Sequence, residues 1–119
     1  MVIPTALLRR FYVKGSLRNT DDGGFEFRLK NVVAPTTLIA LGPIEVDEML
    51  YASNQITLVA SKPRPASTVS EKASLFLPMG QEITVRAAGA SLPKGKHELV
   101  VHAVTKEVGP VIIAVTESI

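Results

Sequence analysis

Residues 7–33, LLRRFYVKGSLRNTDDGGFEFRLKNVV, decide the fold. Leu7, Phe11, Val13 and Leu17 fall on one side of an extended chain, and Arg10, Lys14 and Arg18 on the other. Further on, Phe25, Phe27 and Leu29 alternate with Glu26, Arg28 and Lys30. A repeat of two belongs to a strand, because successive side chains leave a pleated backbone on opposite faces. Between the arms, residues 19–24 supply glycines for positive φ and Asx side chains that bond their own backbone. The spacing predicts one long β-hairpin with an irregular polar tip. It reads as scaffold, not chemistry.

The pattern recurs downstream. Residues 36–41 form a β-branched and aliphatic strand that Gly42-Pro43 stops, and residues 44–47 alternate briefly. Residues 46–52 are the one place for a single helical turn, and a strand follows over 55–60. Residues 61–72 carry Pro63, Pro65, Ser67, Thr68 and Ser70 and read as an exposed loop, since proline withholds backbone donors. Strands resume at 73–77 and at 82–87, the latter with Ile83, Val85 and Ala87 inward. Residues 92–96 turn, and strands 97–105 and 111–116 follow, joined through 106–110. Short strands separated by turn signals predict an all-β fold. The expected architecture is a two-layer antiparallel β-sandwich, jelly-roll-like, as a single domain over residues 1–119.

Composition narrows the function. The 119 residues contain no cysteine, which removes thiolate zinc sites, disulfides and a cysteine nucleophile, and agrees with a reducing cytoplasm. The opening MVIPTALLRR places its basic residues after a short apolar stretch broken by Pro4, so it does not read as a signal peptide. No apolar run reaches the roughly 18–20 residues that span a bilayer. Thirteen basic and eleven acidic side chains are interspersed and leave a net charge of +2. Without a basic stripe or aromatic platforms, neither nucleic acid nor membrane is an expected partner.

Chemistry-bearing residues do not converge. His97 and His102 are the only imidazoles, and five residues apart on one strand they point to opposite faces. A metal site needs three or four converging groups, so no metal or other cofactor is expected on this chain. Asp21-Asp22 sits at a glycine-rich tip and reads as turn residues, and Asp47-Glu48, near Glu45, as a solvated strand end. Gly15-Ser16 and Met79-Gly80-Gln81 lack the strand–turn–helix setting of a nucleophile elbow or phosphate loop. No catalytic residue is assigned. Residues 111–115 are apolar on both faces, and residues 99–104 nearly so. Either the chain's own loops cover that face or another protein does. Lys62, Arg64 and His102 are the candidate contacts with a partner or a pocket rim.

The strings FYVKGSLRNTDDGGFEFRLKN, VVAPTT and LPKGKHELVVHAVTKEVGPVIIAVTES resemble the small β subunit of bacterial C-glycoside deglycosidases. That resemblance implies an accessory subunit packed on a TIM-barrel α subunit that carries a divalent metal, manganese or magnesium, and the catalytic histidine. Such a pair is a carbon–carbon lyase acting on 3-oxo-C-glycosides of plant aromatic compounds. The keto group acidifies the neighbouring proton and the metal stabilises the enediolate. The expected role is therefore a cytoplasmic, non-catalytic subunit of an αβ complex or its multiples. The alternative is a stand-alone β-sandwich that binds carbohydrate or another small ligand. A cupin-like metalloenzyme would need a histidine and carboxylate cluster, which two opposed histidines do not supply.

Overall fold

The computed structural model describes residues 5–89 and 91–119. Its strands are β1 (Arg18–Asn19), β2 (Phe25–Lys30), β3 (Thr36–Val46), β4 (Met49–Tyr51), β5 (Ile56–Val59), β6 (Pro63–Pro65), β7 (Leu75–Leu77), β8 (Glu82–Ala87), β9 (Lys96–Thr105) and β10 (Gly109–Ser118). One sheet runs β1-β2-β8-β5-β6, and the second runs β10-β9-β3-β4 with β7 also paired to β3. The pairings are antiparallel. The sequence expectation of a two-layer antiparallel β-sandwich is met.

Each sheet contributes rows of inward side chains. In the first, Phe25 is paired with Ala87 and Ala87 with Ile56; Phe27, Val85 and Leu58 form the next row. In the second, Ile44, Val101 and Ile113 share a row, and Val46, Leu99 and Val115 the next. Phe25, Phe27, Ile44 and Val85 are wholly buried. A ring contact joins the sheets: Phe25 meets Tyr51 edge-on with centroids 5.1 Å apart.

The opening hairpin is shorter than its alternation predicts. Residues Thr5–Leu8 form one helical turn, Arg9–Phe11 a 3-10 turn, and only Arg18–Asn19 pairs as a strand with β2. Tyr12 alone bridges to Leu29 before that. The apolar residues of the first arm still find the core, as Leu8, Tyr12 and Leu17 do, but by coiling over it. The tip is as expected. Thr20 N–H donates to the Gly24 carbonyl at 2.9 Å, and Gly24 N–H donates to Thr20 Oγ1 at 3.2 Å. A Cβ at Gly24 would fall on the Ala87 carbonyl oxygen, so a close backbone approach requires that glycine.

Three further expectations are corrected. Gly42-Pro43 does not stop β3; the strand runs through a cis Gly42–Pro43 bond with a register shift between Leu41 and Ile44. Such irregularities bend a strand without ending it. Gly42 has φ +114°, and a side chain there would strike Ser53 Oγ, which donates to the Leu41 carbonyl at 2.8 Å. Residues 46–52 are a tight hairpin instead of a helical turn. Asp47 and Glu48 adopt φ of 50° and 72° between the paired residues Val46 and Met49, the positive values that a two-residue hairpin turn demands. Residues 61–72 are not wholly loop, because β6 pairs with β5 as an edge strand. Two prolines are tolerated at an edge, where a missing donor disrupts no further ladder.

One buried polar atom has no partner among the described residues. The Tyr12 hydroxyl is enclosed and makes no hydrogen bond, although Ser16 and Glu117 are polar neighbours; burial pushes its pKa up to about 12. An unpaired buried hydroxyl costs about 1–3 kcal/mol. Tyr12→Phe keeps the ring against Phe27, 5.9 Å away, and is expected to raise stability by about 1 kcal/mol in urea unfolding. An equal loss would show that the hydroxyl is engaged after all.

Candidate functional site

The two outer faces of the sandwich differ in kind. On the first sheet, Glu26 lies opposite Arg86, and Arg28 opposite Thr84. Glu26 is itself buried, because Arg18 at 3.1 Å and Arg86 at 3.2 Å cover its carboxylate. Arg28 and Glu82 pair beside them at 3.2 Å. That face is finished with charge.

The second sheet's outer face is mostly hydrocarbon. Pro110, Val104 and Ala40 form one row across β10, β9 and β3; Ala114, Val100, Glu45 and Leu50 form another that reaches β4. Ile112 stands between them opposite His102. Ile112 is 51% exposed, Leu50 60% and Phe76, on the neighbouring β7, 57%. Strand β10 alternates between partly buried and exposed positions, and its apolar sequence arises because both kinds are aliphatic. The N-terminal segment reaches this face only along β10, where Arg9 and Lys14 line a groove with Val100, Ala114 and Thr116, and Ile112, Leu50 and Phe76 stay exposed.

His102 stands in the middle of this face. Its Nε2 lies 2.9 Å from Glu45 Oε2, and both side chains are about one-third exposed. The strand alternation that separates the two imidazoles is real: His97 points into the sandwich and His102 out of it. Sequence reasoning found the first partner of neither. Nothing in the spacing pairs Glu45 with His102, since β3 and β9 meet only in the folded sheet.

His97 is a structural staple. Its Nδ1 lies 2.5 Å from Asp47 Oδ2 and its Nε2 2.7 Å from the Pro93 carbonyl, while Asp47 Oδ1 accepts the Glu98 N–H at 2.9 Å. Both ring nitrogens face acceptors, so the protonated ring satisfies both. The hydrogen bond to Asp47 holds the His97 pKa above its ordinary 6.5. The Glu98 N–H, followed by His97, holds Asp47 below its ordinary 3.8. A raised histidine stabilises the fold fully below its unfolded value and loses that contribution as pH rises through the folded one; a depressed carboxylate does so above its unfolded value and loses it as pH falls. The pair therefore contributes most between pH 3.8 and 6.5. Asp47→Asn is expected to flatten the decline of Tm with rising pH. Parallel wild-type and variant profiles above about pH 6 would separate the pair from stability.

The remaining candidates lie apart from the open face. Arg64, on β6, donates to Thr68 Oγ1 at 3.0 Å, to the Thr68 carbonyl at 2.9 Å and to the Ala73 carbonyl. Its guanidinium ties residues 64–74 together. Lys62 is exposed in the connection between β5 and β6, strands of the opposite sheet from His102. The three do not form one site. Asp22 accepts a hydrogen bond from Thr20 within the hairpin tip, a turn role. No group of three or more histidines and carboxylates that would hold a metal occurs among the described residues. Nor is any helix among them long and apolar enough to cross a membrane.

Fold and surface thus define a β-sandwich with one charged and one apolar outer face, and no converging catalytic groups among the described residues. A family model described as hydroxymethylglutaryl-CoA reductase, N-terminal domain, matches residues 7–119, and the chain belongs to that family. No curated protein matches it. The family assignment overturns the resemblance to the C-glycoside deglycosidase β subunit, and with it the lyase assignment. The strings behind that resemblance are strands and turns. Such segments report scaffold, and scaffold is shared by proteins of unrelated chemistry. The family is that of an enzyme, but of a reductase.

Proposed function

We propose that this chain is a non-catalytic β-sandwich component of a larger enzyme and packs its second sheet against the catalytic body. The family description supplies the enzyme class, so the reaction served would be reduction of hydroxymethylglutaryl-CoA, with the reacting groups and any cofactor on the companion. One observation carries this reading: charge finishes one outer face, whereas Ile112, Ala114, Val100, Val104 and Leu50 crowd the other. Burying each additional aliphatic side chain contributes about 1.5–3 kcal/mol, so water is a poor long-term neighbour for this surface. Free-sugar binding has less support, because Tyr12 and Tyr51 are both buried and offer no stacking platform.

The test is co-expression with the hydroxymethylglutaryl-CoA-reducing chain of the same source. The isolated β-sandwich is expected to be inactive, to co-purify with that chain and to raise its Tm. Reductase activity by the sandwich alone, or a mixture that elutes as two separate species, would overturn the assignment.

A further inference from the structure

A titratable pair interrupts the hydrocarbon of the second sheet's outer face. His102 Nε2 and Glu45 Oε2 lie 2.9 Å apart, and each side chain is about one-third exposed. Apolar residues frame them: Ile112 stands opposite His102, and Val100 and Leu50 stand opposite Glu45. Among the described residues, His102 is the one ion-pair partner of Glu45.

The surrounding elements bring no second charge into the pair. On β10, the exposed residues nearest His102 are Pro110, Ile112 and Ala114, none of which ionises. Leu50 on β4 and Phe76 on β7 carry no charge either. On the β9 side, Glu98 and Lys106 lie four residues before and after His102. Glu48 sits in the turn between β3 and β4. From the N-terminal segment, Arg9 and Lys14 line the groove along β10 with Glu98 and Val100, and neither pairs with Glu45.

On the free chain, water solvates the Glu45 carboxylate whether or not His102 carries a proton. Beneath another protein it does not. A protonated imidazole then leaves the covered pair neutral, whereas a neutral imidazole leaves a net negative charge out of water, the costlier state. Histidine ordinarily changes charge between about pH 5 and 8. Given the docking proposed above, on which this inference rests, we propose that the docked state holds a proton on the His102–Glu45 pair, so that association weakens as pH rises. The other imidazole, His97, is buried on the opposite side of β9 and stays out of the interface.

Titration calorimetry against the hydroxymethylglutaryl-CoA-reducing companion, at about pH 5.5 and about pH 8, tests this. His102→Gln keeps the carboxylate without an ionisable partner and sets the baseline, which includes any titration of the companion itself. Relative to it, the wild-type chain should lose at least about fivefold in affinity as pH rises over that interval. Glu45→Gln strands the imidazolium instead, so relative to the same baseline its affinity should rise with pH. Thermal melts of the free chains establish that each variant is folded. Should His102→Gln not fold, the wild type and Glu45→Gln must still differ in the sign of their slopes; should Glu45→Gln not fold, wild type against baseline decides. Equal slopes in the folded chains would overturn this inference and leave the docking standing. No association at either pH would overturn both.

Discussion

Phe25→Ala is expected to lower the free energy of unfolding by about 3–5 kcal/mol. Phe25 is wholly buried and meets Tyr51 edge-on, joining β2 of one sheet to β4 of the other. Truncation would remove the aromatic contact, unbury apolar area and leave a void that antiparallel strands on both sides hold open. Domains of this size have only about 5–15 kcal/mol to lose, so the variant should unfold at far lower urea and populate unfolded chain near body temperature. Phe25→Leu should recover most of the loss. Phe76→Ala, at a ring that is 57% exposed, should change stability by no more than about 0.5 kcal/mol. A Phe25→Ala midpoint close to wild type would mean that the sandwich interior is not assembled as described.

What the sequence made legible was the periodicity of paired strands. Phe25, Phe27 and Leu29, and likewise Ile83, Val85 and Ala87, read inward from alternation alone because both strands have one core face and one charged face. Residues 7–17 misled by the same rule. Leu7, Phe11, Val13 and Leu17 alternate, yet helical turns over Thr5–Leu8 and Arg9–Phe11 carry this segment across the core without a ladder. Alternation records which residues seek the core, and a short segment can reach it by more than one backbone path. Gly42-Pro43 misled differently. Glycine and proline punctuate local structure, but β3 is held along both edges by β9, β4 and β7, and tertiary pairing overrides the local signal. The contacts Asp47–His97 and Glu45–His102 join residues 50 and 57 positions apart. A single sequence contains no trace of such pairings until the sheet order is known. The double-sided apolarity of residues 111–115 was legible, however, and it is the feature on which the proposed docking rests.

The double substitution Ile112→Glu with Ala114→Glu should abolish association with the catalytic companion while leaving the sandwich folded. Both positions are exposed on β10, an edge strand, so the free chain can keep the new carboxylates in water at a cost of about 0.5 kcal/mol each or less. In a complex the same groups would be taken out of water against an apolar surface, the one at position 114 with Arg9 and Lys14 in the same groove. His102, across from Ile112, already engages Glu45 at 2.9 Å. Burying an unpaired carboxylate costs several kcal/mol, so the group at position 112 should by itself weaken binding about a hundredfold. Thr84→Glu supplies the contrast. It adds a carboxylate to the other outer face, opposite Arg28, and should leave the complex intact. Size-exclusion chromatography with light scattering, and titration calorimetry of each variant against the companion, read the difference directly. If the β10 variant still binds with wild-type affinity, the companion sits elsewhere and the apolar face has another occupant. Loss of binding in Thr84→Glu alone would move the interface to the charged sheet.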